Sequence, residues 1–343
     1  MKSRILYFSL VLLILISGGC KNSVNTTSLR NITGGAGELL VIISKENWES
    51  ETGKYINEYL TQPQVGLPQN EPVFTVNDIP VEAFKDIFKT TRNLLITNIS
   101  SKVEKNEVVF KNDVYAYPQS IVYINAKDII QLRQVFDENK DKIIGFFIKA
   151  ERDRLLLNYS KFREKKVSDK TEERFGITIN VPVGFNVAED KPDFMWIRYE
   201  TDEISQGILI YSYPYESDST FTQEYLTTKR NLVTRNNVPG PSDGSFMLIE
   251  PSVPLLFNTF NKGGNYAAEL RGLWKIENDF MGGPFVNLSI IDLLKKRVIC
   301  LDGFVYAPSK NKRNLLRQME AMIYSVEFTN QEDMNKINKQ FIQ

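Results

Sequence analysis

A polar stretch near the middle of the chain separates two different hydrophobic patterns. Residues 165–174 (KKVSDKTEER) are polar apart from Val167. Short apolar runs and one long helical stripe precede this stretch, whereas alternating apolar and polar residues dominate the part that follows it. A chain of 343 residues is long enough for about two domains of roughly 150 residues each. We therefore predict two domains, 37–164 and 175–328, joined by a linker at 165–174.

The N-terminal domain is predicted to mix strands with helices. Glu38–Ile43 and Asn93–Ile99 are short aliphatic runs, which favour buried strands. Apolar residues of 140–163 recur at spacings of three, four or seven, which predicts one long helix at the end of the domain.

The C-terminal domain is predicted to be richer in strands. Phe175–Val181 and Met195–Tyr199 alternate in polarity, and helices are expected near 222–236 and 310–324. Many strands with a few helices packed on them are typical of the α+β class. We expect both domains to be mixed α/β domains with antiparallel sheets, and residues 329–343 to form a polar tail.

The first twenty residues resemble the signal of a bacterial lipoprotein. Lys2 and Arg4 precede a largely apolar segment of twelve residues. This segment is too short to cross a bilayer, which takes about 20 helical residues, so 1–19 is interpreted as a signal peptide. Gly19-Cys20 ends the pattern as a lipobox does, although Ser17 stands where leucine is usual.

The resemblance to a lipobox implies an anchor and a compartment. Cys20 would carry lipid, including acyl chains such as palmitate, and residues 20–36 would form a flexible tether to the membrane. Lys21 and Asn22 follow the cysteine without an aspartate or an acidic cluster. By analogy with sorting rules, this favours the outer membrane and its periplasmic face over the cell surface.

Missing residue types exclude several kinds of site. The chain has no histidine, which excludes histidine-based catalysis, and Cys20 and Cys300 lie far apart, which argues against a zinc site. We predict no catalytic residues, no cofactor and no metal, because the glycine clusters precede strands instead of opening helices. The 42 basic and 42 acidic residues balance, which argues against a nucleic-acid partner.

Aromatic residues of the C-terminal domain form the candidate ligand surface. Tyr211, Tyr213 and Tyr215 alternate, so they share one side of a strand, and Trp196 lies on another strand. Such a row is either a stacking platform or a sheet face packed beneath helices. Carboxylates at 200–203 are either a solvated turn or part of an acid/base pair.

The order of several motifs resembles a family of Bacteroidetes lipoproteins that is catalogued only as a domain of unknown function. The lipobox is followed by a helix at Trp48, by 66–72 (GLPQNEP) and by 303–308 (GFVYAP). The C-terminal half, from 179–185 (INVPVGF) to 323–328 (IYSVEF), resembles the Mog1/PsbP-like α/β/α sandwich. Proteins of that fold are mostly binding or assembly-accessory proteins.

These observations predict a non-enzymatic periplasmic protein at the outer membrane that binds a protein or another envelope component. One alternative is a hydrolase of the glycosidase type that uses only carboxylates. The other is a glycan-binding module that uses the tyrosine row.

Overall fold

A computed structural model describes residues 29–330 of the chain. The predicted signal peptide, Cys20 and nearly all of the polar tail lie outside the described residues. No helix among residues 29–330 is long and apolar enough to cross a membrane.

The N-terminal domain is built on one sheet of five strands. The described strands of the domain, including two outside this sheet, are β1 (Arg30–Asn31), β2 (Glu38–Ile42), β3 (Thr75–Ile79), β4 (Asn93–Ile99), β5 (Glu107–Asn112), β6 (Ala116–Tyr117) and β7 (Ser120–Ala126). The sheet has the order β3-β2-β4-β7-β5, and β1 pairs separately with β6. β3, β2, β4 and β7 run parallel, and β5 joins β7 antiparallel at one edge.

The predicted antiparallel sheet is therefore wrong for this domain. Parallel neighbours need crossover connections. Helices lie in the connections from β2 to β3 and from β3 to β4, whereas the strands β5 and β6 lie in the connection from β4 to β7. The helices are α1 (Lys45–Glu49), α2 (Glu51–Leu60), α3 (Asp86–Lys89) and α4 (Ile129–Lys161), with a 3-10 turn at Val81–Ala83. The sheet is covered on both faces, by α2 and α4 on one side and by Phe84 and Phe88 on the other. Continuous aliphatic runs such as β2 are typical of such doubly buried parallel strands.

Part of the predicted tether is docked on the domain. Arg30 and Asn31 pair with Ala116 and Tyr117, and the amide of Thr33 donates to the carbonyl oxygen of Thr90 at 2.8 Å. A flexible tether is therefore wrong for these residues, because their backbone groups are bonded to the domain edge.

The predicted linker is a helix. α5 (Lys165–Phe175) buries Val167, Thr171 and Phe175, which lie four residues apart on one face. Gly176 ends the helix in the left-handed region at φ 66°, a conformation that glycine adopts without strain. The spacing of these buried positions is helical, but Thr171 is polar and Phe175 lies beyond residue 174, so the composition of 165–174 by itself indicates a linker.

The C-terminal domain is an antiparallel sheet of eight strands. The described strands of the domain, including two outside this sheet, are β8 (Ile177–Thr178), β9 (Asn186–Lys191), β10 (Phe194–Glu200), β11 (Ser205–Pro214), β12 (Met247–Ile249), β13 (Leu256–Lys262), β14 (Asn265–Ile276), β15 (Gly282–Asp292), β16 (Arg297–Tyr306) and β17 (Glu327–Phe328). The sheet has the order β12-β14-β15-β16-β11-β10-β9, β13 also pairs with β14, and β8 pairs with β17.

Helices cover both faces of this sheet. α6 (Gln223–Asn237), which follows a 3-10 turn at Asp218–Phe221, packs on one face, and α7 (Arg313–Tyr324) packs on the other. The α7 face is an apolar core that includes Leu316, Met319 and Met322. The domain is thus a three-layer α/β/α sandwich, as the resemblance of this half of the chain implies, and the α+β class of the chain is confirmed.

A loop of the N-terminal domain holds the start of α7. The carboxylate of Glu71 accepts from the amides of Lys312 and Arg313 at 2.6 and 2.9 Å, and it is buried. The free amides at a helix start favour a negative charge, so Glu71 caps from the other domain a helix whose own N-cap residue, Lys312, makes no side-chain cap. Gln69 adds a bond from its amide to the carbonyl oxygen of Lys310 at 2.8 Å. The GLPQNEP motif therefore joins the two domains, and we call the contacts of Gln69 and Glu71 with the start of α7 the clamp.

Candidate ligand-binding pocket

A pocket of about 370 Å³ opens at one end of the C-terminal sheet, beside the end of α6. Its walls are aromatic: Trp196 of β10, Trp274 of β14, and Phe304 and Tyr306 of β16. Apolar side chains complete the lining, among them Val238, Met247, Ile276 and Met281. The GFVYAP motif thus contributes Phe304, Tyr306 and Pro308 to this pocket.

Strand pairing sets the position of the Phe304 ring. Phe304 lies opposite Gly207 of β11 in the ladder. A β-carbon built on Gly207 would lie 2.3 Å from Cζ of Phe304, far inside van der Waals contact. The ring therefore occupies the space above Gly207, and any larger residue there would displace a wall of the pocket.

The two tryptophans of the pocket differ in their hydrogen bonds. Nε1 of Trp274 donates to the carbonyl oxygen of Val305 at 3.2 Å. Nε1 of Trp196 is buried and has no acceptor among the described residues. A buried donor without an acceptor is unfavourable, and a ligand would reach this N–H only if the side chains around it moved.

An acidic turn borders the pocket between β10 and β11. Glu200, Asp202 and Glu203 line its edge and are exposed to solvent. Arg198 lies 3.4 Å from Glu200, and Lys310 lies 2.9 Å from Glu203. Trp196 also faces a second, more polar cavity of about 770 Å³, which contains Lys191, Arg198 and Arg235.

The tyrosine row is largely buried and lies outside this pocket. Tyr211 and Tyr213 are only 2% and 8% exposed, and Tyr215 is half-buried. Desolvation by burial raises the pKa of Tyr211 and of Tyr213 above the ordinary value. The three rings share one face as alternation requires, and α6 and its neighbours cover most of it, leaving a cavity of about 400 Å³ that Tyr211 and Tyr213 line. Of the predicted aromatic residues, Trp196 lies in the pocket.

The sequence does not predict a buried polar network that lies under α6. Nε of Arg230 donates to Oδ2 of Asp302 at 2.7 Å, Nη2 donates to Oδ1 at 3.0 Å, and both side chains are fully buried. Asn287 donates to Asp302 and to the hydroxyl of Tyr211, each at 3.0 Å. Asp302 interrupts an apolar run, which is the one signal of this pair in the sequence.

Cys300 lies in the same network and is buried, as expected from its apolar strand. Its Sγ lies 3.0 Å from Oγ of Ser289. Burial raises the pKa of the thiol to about 12, so it stays protonated and is a poor nucleophile at neutral pH. No group of three or more acidic or cysteine side chains within 29–330 could hold a metal ion.

Two regions of the chain match family models. Residues 33–160 match a domain of unknown function (DUF8532), and residues 164–325 match a domain of unknown function (DUF4837). No curated protein matches the chain.

Solved structures with some resemblance have low scores. The Ran-binding protein Mog1p of Saccharomyces cerevisiae is 10% identical, with a TM-score of 0.32 over 46% of this chain and 92% of that chain. LpqN, described as involved in cell envelope biogenesis of Mycobacterium tuberculosis, is 13% identical, with a TM-score of 0.28 over 44% of this chain and 81% of that chain. The sandwich described above rests on its own strand order and helical layers. The chain thus joins two regions, each similar to a family without an assigned function.

Proposed function

We propose that this chain is a non-enzymatic binding or assembly-accessory lipoprotein of the Bacteroidetes type, anchored through Cys20 and facing the periplasm from the outer membrane. The observation that carries the binding role is the aromatic pocket between Trp196 and Tyr306. A concave apolar site of about 300–1,000 Å³ with a few polar groups is the usual form of a ligand site.

The chemistry of the pocket supports binding over catalysis. Its carboxylates, Glu200, Asp202 and Glu203, lie exposed on a turn, and two of them have a cation nearby. A carboxyl group that donates a proton near neutral pH needs burial or a like charge to raise its pKa. The polar groups under α6 are sealed from solvent, so they cannot reach a substrate.

The clamp between the domains supports a binding role as well. Tyr306 and Pro308 line the pocket. In the segment that follows them, the carbonyl oxygen of Lys310 accepts from Gln69, and the amides of Lys312 and Arg313 donate to Glu71. One short segment therefore connects the pocket wall to the docking of the N-terminal domain. Both domains would hold the pocket in a fixed shape for a partner.

The anchor is tested by Cys20→Ala in cells, followed by fractionation. We expect the protein to leave the membrane fraction, because the lipid attachment point is gone. Cys300→Ala is the matched control and should stay with the membrane, since Cys300 is buried in the sheet. Unchanged membrane association of Cys20→Ala would contradict the anchor.

The pocket is tested by placing a photo-crosslinking residue at Met281, which lines it. We expect a discrete crosslinked adduct that disappears in Trp196→Ala. The same residue at Ile87, which is 76% exposed on the N-terminal domain, is the control and should give no such adduct. Equal yields of adduct from both positions would contradict the assignment of this pocket as the ligand-binding site.

A carboxylate hydrolase is the second candidate, because three carboxylates border the pocket. It predicts turnover of envelope glycans that Glu200→Gln or Asp202→Asn abolishes. The binding role predicts no turnover with either the unaltered chain or the variants. Release of reducing ends from purified envelope glycans decides between the two.

A further inference from the structure

The partner of the pocket can be described from the charges around its mouth. Glu200 and Glu203 have Arg198 and Lys310 beside them, but within residues 29–330 no ion pair involves Asp202. A carboxylate exposed at the edge of an apolar pocket is a natural contact for a cation of the ligand.

A second acidic turn flanks the same pocket. The β14–β15 turn carries Glu277 and Asp279, and Met281 at its end lines the pocket. Phe280 between them is fully exposed, so an apolar ring stands at the mouth without cover from the described residues. Residues 277–281 (ENDFM) contain no lysine or arginine, so this side of the mouth is acidic.

These charges argue against a second copy of the chain as the occupant. A copy that inserted its exposed Phe280 would bring Glu277 and Asp279 against Asp202 and its neighbours. Like charges in contact are unfavourable, so such a pairing would repel itself.

The inside of the pocket favours a peptide over a sugar. Trp274 and Phe304 are 2% and 4% exposed, so their rings present almost no open face on which a sugar ring could stack. Met247 and Ile276 make the inner wall apolar, which suits an aliphatic or aromatic side chain.

We propose that the pocket receives an apolar side chain of an extended peptide segment that carries lysine or arginine on both sides of it. This proposal rests on the binding role proposed above and adds the chemistry of the partner. The apolar side chain fills the pocket, and the flanking cations lie against the turns that carry Asp202 and Glu277.

The test measures fluorescence anisotropy of labelled peptides with the full chain in detergent. Three peptides share a central phenylalanine and are flanked by lysine, by serine or by glutamate. We expect the lysine peptide to bind about tenfold more tightly than the serine peptide, with the glutamate peptide weakest. Added salt should reduce this preference, because exposed charges are screened.

A matched pair of variants locates the effect. Asp202→Asn with Glu277→Gln should remove most of the preference for lysine. Glu82→Gln with Glu104→Gln removes two exposed carboxylates of the N-terminal domain and should leave the preference unchanged.

Three results overturn the proposal and leave the binding role standing. The first is equal binding of the three peptides that is still lost in Trp196→Ala. The second is binding of an envelope oligosaccharide in place of every peptide. The third is loss of the lysine preference in the N-terminal control pair as well, because the charges at the pocket would then not be its cause.

Discussion

The two faces of the C-terminal sheet are covered in different ways. On the α7 face, Leu316, Met319 and Met322 form an apolar core that the N-terminal domain helps to hold in place. On the α6 face, a buried ion pair lies beneath the helix, and three cavities lie along it. One face therefore serves stability, and the other leaves room for a ligand. The candidate pocket belongs to the face whose cover is incomplete.

The largest effect is expected on the α6 face. Asp302→Ala leaves Arg230 charged and buried without a counter-ion, so we expect a loss of about 3–5 kcal/mol in the free energy of unfolding. Urea denaturation followed by circular dichroism measures it. The double variant Arg230→Met with Asp302→Leu removes both charges and should recover most of that loss.

The α7 face provides the contrast for this measurement. Met322→Ala removes buried apolar volume and should cost about 2–5 kcal/mol without any charge effect. If Arg230→Met with Asp302→Leu is no more stable than Asp302→Ala, then packing, and not the unpaired charge, determines the stability of the α6 face.

An intermediate effect is expected at the clamp between the domains. Glu71→Ala removes the acceptor of two helix-start amides, which should cost about 1–3 kcal/mol. Calorimetry should then resolve separate unfolding of the two domains. Glu82→Ala, on the exposed surface of the same domain, is the control and should leave a single transition. One unchanged transition in Glu71→Ala would contradict the role of the clamp.

The smallest effect is a pH dependence at the same interface. Burial by itself raises the pKa of Glu320, but Arg271, Arg152 and Arg317 together lower it below the ordinary value of 4.5. Arg271 lies 3.2 Å and Arg152 3.3 Å from the carboxylate. The folded chain therefore binds this proton less readily than the unfolded chain.

Stability from Glu320 is accordingly present above pH 4.5 and is lost as the pH falls through the lowered pKa. Urea denaturation in a series of acidic buffers should show this loss in the unaltered chain and less of it in Glu320→Gln. A matched control is Glu104→Gln, which should keep the full pH dependence. An identical pH dependence in Glu320→Gln would show that this carboxylate is not its source.

Several elements follow from local patterns and could be predicted. The apolar stripe of 140–163 predicts the second half of α4, and the alternation around Met195–Tyr199 predicts β10. Cys300 sits in an apolar strand and is buried, as its neighbours indicate. Each of these depends on residues close in sequence, so the pattern itself carries the information.

Contacts between distant segments could not be predicted in the same way. The parallel order of the N-terminal sheet depends on which strands become neighbours, although the continuous aliphatic run of β2 is a signal for it. The tyrosine row shows the same limit, because alternation fixes a common side but not whether a helix covers it. Trp196 was identified, but its pocket partners Trp274 and Tyr306 come from other strands.

The sequence by itself determined the α+β class, the strand-rich second half and the absence of histidine chemistry, since these depend on composition and short periods. The tertiary structure decided where the polar groups lie. It buried Arg230 with Asp302, placed Glu71 at the start of a helix of the other domain, and left an aromatic pocket at the end of α6. Those outcomes depend on segments far apart in the chain, such as Glu71 and Lys312, which lie 241 residues apart and which only folding brings into contact.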